Sequence, residues 1–234
     1  MSGTVYGIGV GPGDPELITV KALRLLRAAA VIAYPAPDQG DSFARAIVAG
    51  FLTGTQTEIV IRTPMEAARF PAQEIYDRAA GEIAAHVAAG RDVAVLCQGD
   101  PFFYGSFMYL FGRLAETCRV EVVPGVSSLT ACAAAMGAPL AARNDVLAVI
   151  PAPLPETDIA ERLAAADAAA IIKIGRHAGK VRQVITRLGL ADRARYIERA
   201  TLAQQRILRL DELVDAEAPY FSLVLVHRRG EAWR

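Results

Sequence analysis

The 234-residue chain has few cysteines and no excess of either charge. Cys97, Cys118 and Cys132 form no C-x-x-C pair, and each has apolar neighbours. An odd number of cysteines in such settings favours free thiols in cores over a disulfide framework or metal ligands. Lysine plus arginine equals aspartate plus glutamate, with 25 of each. This balance excludes the global basic field that would indicate nucleic acid as a partner.

Long apolar runs are also absent, since none approaches the roughly 20 residues of a membrane span. The start of the chain lacks the basic and apolar regions of a signal peptide. We therefore expect a cytoplasmic protein without a membrane partner. The three histidines, His86, His177 and His227, share no metal-ligand spacing, so we predict no metal site.

Hydrophobic residues make up 53% of the chain, which is ample for sizeable cores. Apolar runs predict strands over 4–10, 31–34, 58–61, 93–97, 120–123, 146–150, 168–174, 195–198 and 219–227. Apolar residues at helical spacing predict helices over 17–29, 42–49, 72–89, 106–116, 156–165 and 180–188, and an alanine-rich helix that ends at 136. This alternation indicates an α/β fold with helices covering parallel strands. We place an N-terminal α/β domain at 1–120 and a C-terminal α/β domain at 121–234.

The run over 93–97 reads as a buried parallel strand, and a polar turn with Gly99, Asp100 and Pro101 follows it. Open α/β sheets bind ligands at the carboxyl ends of their strands. Gly99 lets a ligand approach the backbone, and Asp100 can meet a cationic or hydroxyl-bearing group. The alternative is an ordinary turn in which Asp100 is the N-cap of the next helix.

Two phosphate-binding motifs can be rejected. The glycine-rich turn over 7–13 follows a first strand, but a dinucleotide fingerprint needs an acidic residue at the end of the second strand. Tyr34 and Pro35 stand there instead. The stretch 175–180 has one residue too few between its glycines for a phosphate loop, and Val181 occupies the Ser/Thr position.

A hydrolase triad is also disfavoured. Ser127 is followed by Asp145 and His177 in the order of the α/β hydrolases. However, Leu129 stands where the nucleophile turn needs its second glycine, so Ser127 reads better as the start of a helix.

Three further motifs occur in order: Gly7-Ile-Gly-Val-Gly-Pro-Gly-Asp-Pro-Glu-Leu-Ile-Thr19, Gly99-Asp-Pro-Phe-Phe-Tyr-Gly105 and Val123-Pro-Gly-Val-Ser-Ser128. Lys173-Ile-Gly-Arg-His177 and Glu198-Arg-Ala-Thr201 follow downstream. Together these motifs closely resemble the tetrapyrrole methylase family over essentially the whole chain. Within it, the likeness is greatest to members that methylate C-20 of precorrin-2 in cobalamin biosynthesis.

The resemblance implies two α/β domains with the active-site cleft between them, a homodimer, and S-adenosylmethionine as methyl donor, released as S-adenosylhomocysteine. Carried over by position, the implied cofactor contacts are Val10, Pro12, Gly99, Asp100, Phe103, Ser127, Ser128, Ile174, Ala200 and Phe221. Most of them are main-chain contacts. A catalytic base is not identified by any motif.

A tetrapyrrole substrate carries many carboxylates, so cations near strand ends are substrate candidates. These are Arg62, Arg69, Arg143, Arg176 and His177. Three alternatives stay open: a cobalt-loaded precorrin-2 substrate, a sister precorrin or uroporphyrinogen III methylation, and a module that binds the cofactor or a tetrapyrrole without turnover.

Overall fold

The computed structural model describes residues 2–63, 73–213 and 218–230. The chain forms two compact units, Met1–Ser127 and Ser128–Arg234. The boundary lies after the predicted 120/121, because the strand over 120–123 pairs with the first strand of the chain and so belongs to the first unit.

The sheet of the first unit has five parallel strands, in the order β3-β2-β4-β1-β5. They are β1 (Val5–Gly9), β2 (Val31–Ala36), β3 (Thr57–Arg62), β4 (Val93–Cys97) and β5 (Val120–Val123). Every residue of the central strand β4 is buried, which explains its unbroken apolar sequence. The parallel sheet predicted for this part of the chain is confirmed.

Helices cover both faces of this sheet. They are α1 (Val20–Ala28), α2 (Phe43–Val48), α3 (Gln73–Ala88) and α4 (Phe107–Leu114). On one face, Ile83 of α3 and Phe107 of α4 pack against Val93 and Val95. On the other face, α1 and α2 pack against a second core that includes Leu96.

The second strand is longer than predicted: it continues past Tyr34, through Pro35, to Ala36. β2 pairs with β4 only as far as Ala33, whereas its pairing with β3 includes Pro35 opposite Ile61. Proline lacks an N–H, and it is tolerated here because no ladder partner stands on the β4 side.

The first helix begins later than predicted. A short 3-10 helix, Pro15–Leu17, is capped by Asp14, whose carboxylate accepts from Glu16 N at 2.9 Å. Ile18 then returns to an extended conformation. α1 begins only after Thr19, whose hydroxyl accepts from Ala22 N at 3.2 Å. Two N-terminal caps in succession therefore give a short 3-10 helix before α1 and delay the start of α1 from the predicted 17 to 20.

The second unit has a mixed sheet in the order β6-β7-β10-β8-β9. Its strands are β6 (Leu147–Pro151), β7 (Ala168–Ile172), β8 (Ala194–Glu198), β9 (Arg206–Arg209) and β10 (Ser222–His227). β6, β7 and β8 run in one direction, and β9 and β10 run against them. β9 was not predicted. β7 ends at Ile172 rather than at the predicted 174, because Lys173 has a φ of 60°.

Helices cover both faces of this sheet as well. They are α5 (Ser128–Met136), α6 (Glu156–Ala165) and α7 (Ala178–Arg187). α6 and α7 pack on one core, and α5 packs on the other. Short 3-10 helices occur in the second unit at Gly175–His177, Ala191–Arg193 and Leu210–Glu212. Another follows α2 in the first unit, at Ala49–Phe51.

Two of the three cysteines lie in these cores. Cys97 and Cys132 are buried free thiols, and Cys118 is partly buried. Burial raises the pKa of Cys132 to about 12, so it stays an unreactive thiol at neutral pH. Across the described ranges, no helix has the length and apolar character needed to cross a bilayer.

An ion pair joins α2 to the edge strand β3. Arg45 donates to both carboxylate oxygens of Glu58, at 2.7 and 2.8 Å, and Tyr34 OH donates to the same carboxylate at 2.5 Å. The hydrogen bond from Arg45 is the main cause that lowers the pKa of Glu58 from 4.5 to about 2, and Tyr34 adds to it. Glu58 therefore stabilises the fold in its charged form.

We predict that Glu58→Gln lowers the free energy of unfolding by about 1 kcal/mol at pH 7, a modest loss because solvent still reaches 33% of the Glu58 side chain. The native pKa lies below the ordinary one, so the contribution is complete above pH 4.5 and is lost as the pH falls towards 2. Urea unfolding between pH 7 and 3 should show the two proteins converging. A constant difference over that range, or the same loss in the exposed control Glu82→Gln, would contradict this account.

Candidate active site

The loops that follow β1 and β4 are hydrogen-bonded to each other at the carboxyl edge of the first sheet. Val10 N donates to Cys97 O at 2.8 Å, which continues the ladder beyond the last paired residues. Gly11 and Gly99 then form an isolated antiparallel bridge, in which Gly99 N donates to Gly11 O at 2.7 Å. The two glycine-bearing motifs recognised in the sequence are thereby brought side by side.

Glycine is required where these loops meet the loop after β5. A Cβ atom on Gly9 would lie 2.5 Å from the backbone N and Cα of Gly125. A Cβ on Gly125 would overlap the carbonyl oxygen of Gly99. Gly99 itself has a φ of +66°, which a side chain would strain. Three backbones therefore meet at a distance that only glycine permits.

Asp100 ties two of these loops together. Its Oδ1 accepts from Phe102 N at 2.9 Å, and its Oδ2 accepts from Gly125 N at 3.0 Å. The N-cap alternative is wrong, because α4 begins at Phe107 and its N-cap is Ser106. A carboxylate has about four lone-pair sites, so Asp100 can accept further hydrogen bonds from a ligand.

The remaining predicted residues of the first unit differ in exposure. Val10 and Pro12 are both buried, Val10 completely. The Phe103 side chain is 37% exposed. Ser127 is partly buried, and Ser128 is exposed at the start of α5.

In the second unit, the structure brings Ile174, Ala200 and Phe221 to one edge of the sheet. These residues follow β7, follow β8 and precede the antiparallel β10, respectively. Arg199 N donates to Phe221 O at 2.9 Å, which ties the turn containing Ala200 to Phe221. Ile174 is fully buried, whereas Ala200 is partly buried and Phe221 is 38% exposed.

A buried carboxylate supports this turn and was missed in the sequence analysis. Glu198, 5% exposed, accepts from Tyr196 OH at 2.6 Å. It also lies 3.4 Å from a guanidinium nitrogen of Arg206 and 3.8 Å from one of Arg199. Burial, followed by the hydrogen bond to Glu198, raises the pKa of Tyr196, so its hydroxyl stays a donor. Since Arg206 lies on the unpredicted β9, the sequence carried no signal for this network.

Backbone strain concentrates on these loops. Among the described residues, the non-glycine residues with positive φ on strand-end loops of the two sheets are Tyr104, Lys173, Arg199 and Thr201. Such conformations persist where the surroundings impose them, and they are common at ligand sites. The strain therefore points to the same loops as the hydrogen bonds.

The five cations predicted to meet substrate have different positions. Arg62 donates to the carbonyls of Pro37 and Gly40, at 2.8 and 3.4 Å, and so holds the loop after β2. Arg143 lies in a turn before β6, at the edge of the second sheet opposite to Ile174. Arg69 lies outside the described residues.

Arg176 and His177 lie in the 3-10 helix Gly175–His177, on the same edge as Ile174. The pKa of His177 is lowered by burial first and then by the positive charges of Lys180 and Arg176. His177 is therefore a neutral imidazole at pH 7 and a poorer partner for a carboxylate than expected. Arg176 is exposed and is the best placed of the four candidates that the structure describes.

Comparison with known proteins identifies the family. The family model described as Tetrapyrrole (Corrin/Porphyrin) Methylases matches residues 4–214. The chain belongs to the tetrapyrrole methylases. It is 43% identical over 232 residues to a precorrin-2 C(20)-methyltransferase from Sinorhizobium sp, covering 96% of this chain and 95% of that protein. It is 34% identical over 235 residues to the cobalt-precorrin-2 C(20)-methyltransferase of Salmonella typhimurium, covering 99% of each chain.

Solved tetrapyrrole methylases share the fold. The uroporphyrin-III C-methyl transferase from Thermus thermophilus, in its complex with S-adenyl homocysteine, matches with a TM-score of 0.70 and 27% identity over 98% of each chain. The two-domain α/β class implied by the resemblance is therefore confirmed.

Proposed function

We propose that the protein is an S-adenosylmethionine-dependent methyltransferase that methylates C-20 of precorrin-2 to give precorrin-3A in cobalamin biosynthesis. The observation that carries this proposal is the 43% identity, over nearly the full length of both chains, to a precorrin-2 C(20)-methyltransferase. The relative named for the cobalt-loaded substrate is less similar, at 34%. This difference favours the metal-free substrate.

The edge of the first sheet has groups that suit S-adenosylmethionine. The glycine backbones at Gly11 and Gly99 leave no side chains between a ligand and the main chain. Asp100 offers a carboxylate with spare acceptor capacity for the ammonium group, and Phe103 offers exposed apolar surface for the methionine chain. The bound cofactor supplies a methyl group activated on a sulfonium.

We assign the other cofactor contacts by the family resemblance. Val10 and Pro12 border the cofactor, Ser127 and Ser128 lie at its ribose and amino-acid end, and Ile174, Ala200 and Phe221 contact the adenine. In the second unit these contacts are proposed to come from backbone atoms, and the backbone hydrogen bond between Arg199 and Phe221 supports this for the turn that contains Ala200.

The residues of this chain act on the reaction chiefly by positioning. C-20 of a reduced tetrapyrrole is enamine-like and needs little activation, so the gain comes from holding donor and acceptor in near-attack geometry. Asp100 fixes the amino-acid end of the cofactor, and the loops joined at Gly11 and Gly99 fix its height above the sheet. Arg176 is the proposed partner of a substrate carboxylate.

We infer that the protein is a homodimer, and this proposal rests on the family resemblance alone. We also propose that it works in the cytoplasm, with a small tetrapyrrole as its substrate and with neither nucleic acid nor a membrane as a partner. The alternative of a binding module without turnover is separated from the enzyme by assaying the reaction itself.

We predict that the purified protein transfers the methyl group of S-adenosylmethionine to C-20 of precorrin-2, generated anaerobically. With a ¹³C-labelled methyl group, NMR of the product should place the label on C-20, and mass spectrometry should show one added methyl. The cobalt-loaded substrate should react more slowly. Label at another ring carbon would support a sister methylase, and binding of cofactor and tetrapyrrole without label transfer would support the binding module.

We predict that Asp100→Ala and Asp100→Asn both weaken the binding of S-adenosylmethionine. A hydrogen bond to a charged group contributes roughly 1.5–3 kcal/mol, so affinity should fall on the order of tenfold to a hundredfold in calorimetry. The asparagine keeps an oxygen that can accept from Phe102 N or Gly125 N. The melting temperature of Asp100→Asn should therefore lie closer to that of the wild type than the melting temperature of Asp100→Ala.

The two variants separate a cofactor contact from a purely structural brace. If Asp100 only braces the loops, Asp100→Asn should bind cofactor much better than Asp100→Ala. Exposed Asp192→Asn is the matched control and should keep wild-type affinity. Wild-type affinity in Asp100→Ala would remove Asp100 from the proposed site.

A further inference from the structure

The loop after β4 presents three aromatic residues to solvent, and the last two of them pack on each other. Phe103 and Tyr104 are 37% and 44% exposed, and their rings meet edge to face with centroids 5.1 Å apart. The preceding Phe102 points elsewhere, since its ring packs edge to face on Phe111 of α4 at 5.1 Å. Phe102 is itself 49% exposed, but its ring faces α4, whereas the next two rings form a separate apolar surface close to Asp100 in the chain.

The backbone at Tyr104 is strained. Its φ is 56°, a conformation that is unfavourable for a bulky aromatic residue. The following Gly105 is packed so closely that a Cβ there would lie 2.6 Å from Pro101 O. The loop thus closes on itself and holds Tyr104 in its left-handed conformation. Strained conformations of exposed residues are common at ligand sites, so the strain at Tyr104 is consistent with a contact to a ligand.

The proposed substrate matches this surface. A tetrapyrrole has conjugated, apolar faces, and its carboxylates lie around the rim. Exposed aromatic rings bind such faces well, and the phenol can stay in contact with water. We propose that Tyr104, braced by Phe103, contacts one face of the tetrapyrrole macrocycle and sets its position relative to the cofactor loop. This inference rests on the proposed function.

The proposal is tested by Tyr104→Asn and Tyr104→Phe. Asparagine tolerates the left-handed conformation, so the loop should keep its shape when the ring is removed. Met108→Ala, which removes another exposed apolar side chain from the adjacent α4, is the control. The measurements are the KM and Kd for precorrin-2, the Kd for S-adenosylhomocysteine, the melting temperature, and the mass by light scattering.

For Tyr104→Asn we expect KM and Kd for precorrin-2 to rise about tenfold, with S-adenosylhomocysteine affinity within about twofold of wild type. The melting temperature should not fall. Tyr104→Phe and Met108→Ala should stay close to wild type.

Three results would overturn the inference. These are an unchanged Kd for precorrin-2 in Tyr104→Asn, an equal loss of S-adenosylhomocysteine affinity, or a reduced mass, which would place the two rings between copies of the chain. A wild-type protein that binds precorrin-2 without methylating it would overturn the proposed function alone, since Tyr104→Asn would still weaken that binding. A wild-type protein that does not bind precorrin-2 would overturn both.

Discussion

The candidate site of the first unit depends on three backbones that meet where only hydrogen atoms fit between them. Gly9, Gly99 and Gly125 follow or end three parallel strands, and a side chain on Gly9 or Gly125 would collide with the neighbouring loop. This contact fixes the loops after β1, β4 and β5 relative to one another.

Asp100 fixes the positions of two of these loops relative to each other by hydrogen bonds. Its two carboxylate oxygens accept from Phe102 N and Gly125 N, so one side chain fixes the loops after β4 and β5. The aromatic residues that follow Phe102 are then presented at a fixed place. In the second unit, Glu198 has a comparable role, because a buried carboxylate holds the strained turn around Ala200.

Much of the fold could be predicted because β4 and β5 are short apolar runs that end in glycine- or proline-bearing turns, and their bounds agree with the structure. β9 was missed because arginines stand at both its ends and Ile207 is 45% exposed, so it lacks the pattern of a buried strand. Motif recognition located Asp100. The hydrogen bond that Asp100 accepts from Gly125, 25 residues away, exists only once the ends of β4 and β5, on either side of β1, reach the same edge of the sheet.

The most direct test of this account is a titration of the ¹⁵N-labelled protein with S-adenosylhomocysteine, followed by backbone amide NMR. If the glycine contact and Asp100 form the cofactor site, the amides of Gly99, Phe102 and Gly125 should show some of the largest shifts and should saturate with a common Kd. Amides that keep their ligand-free positions at saturating S-adenosylhomocysteine would place the cofactor elsewhere and contradict the account.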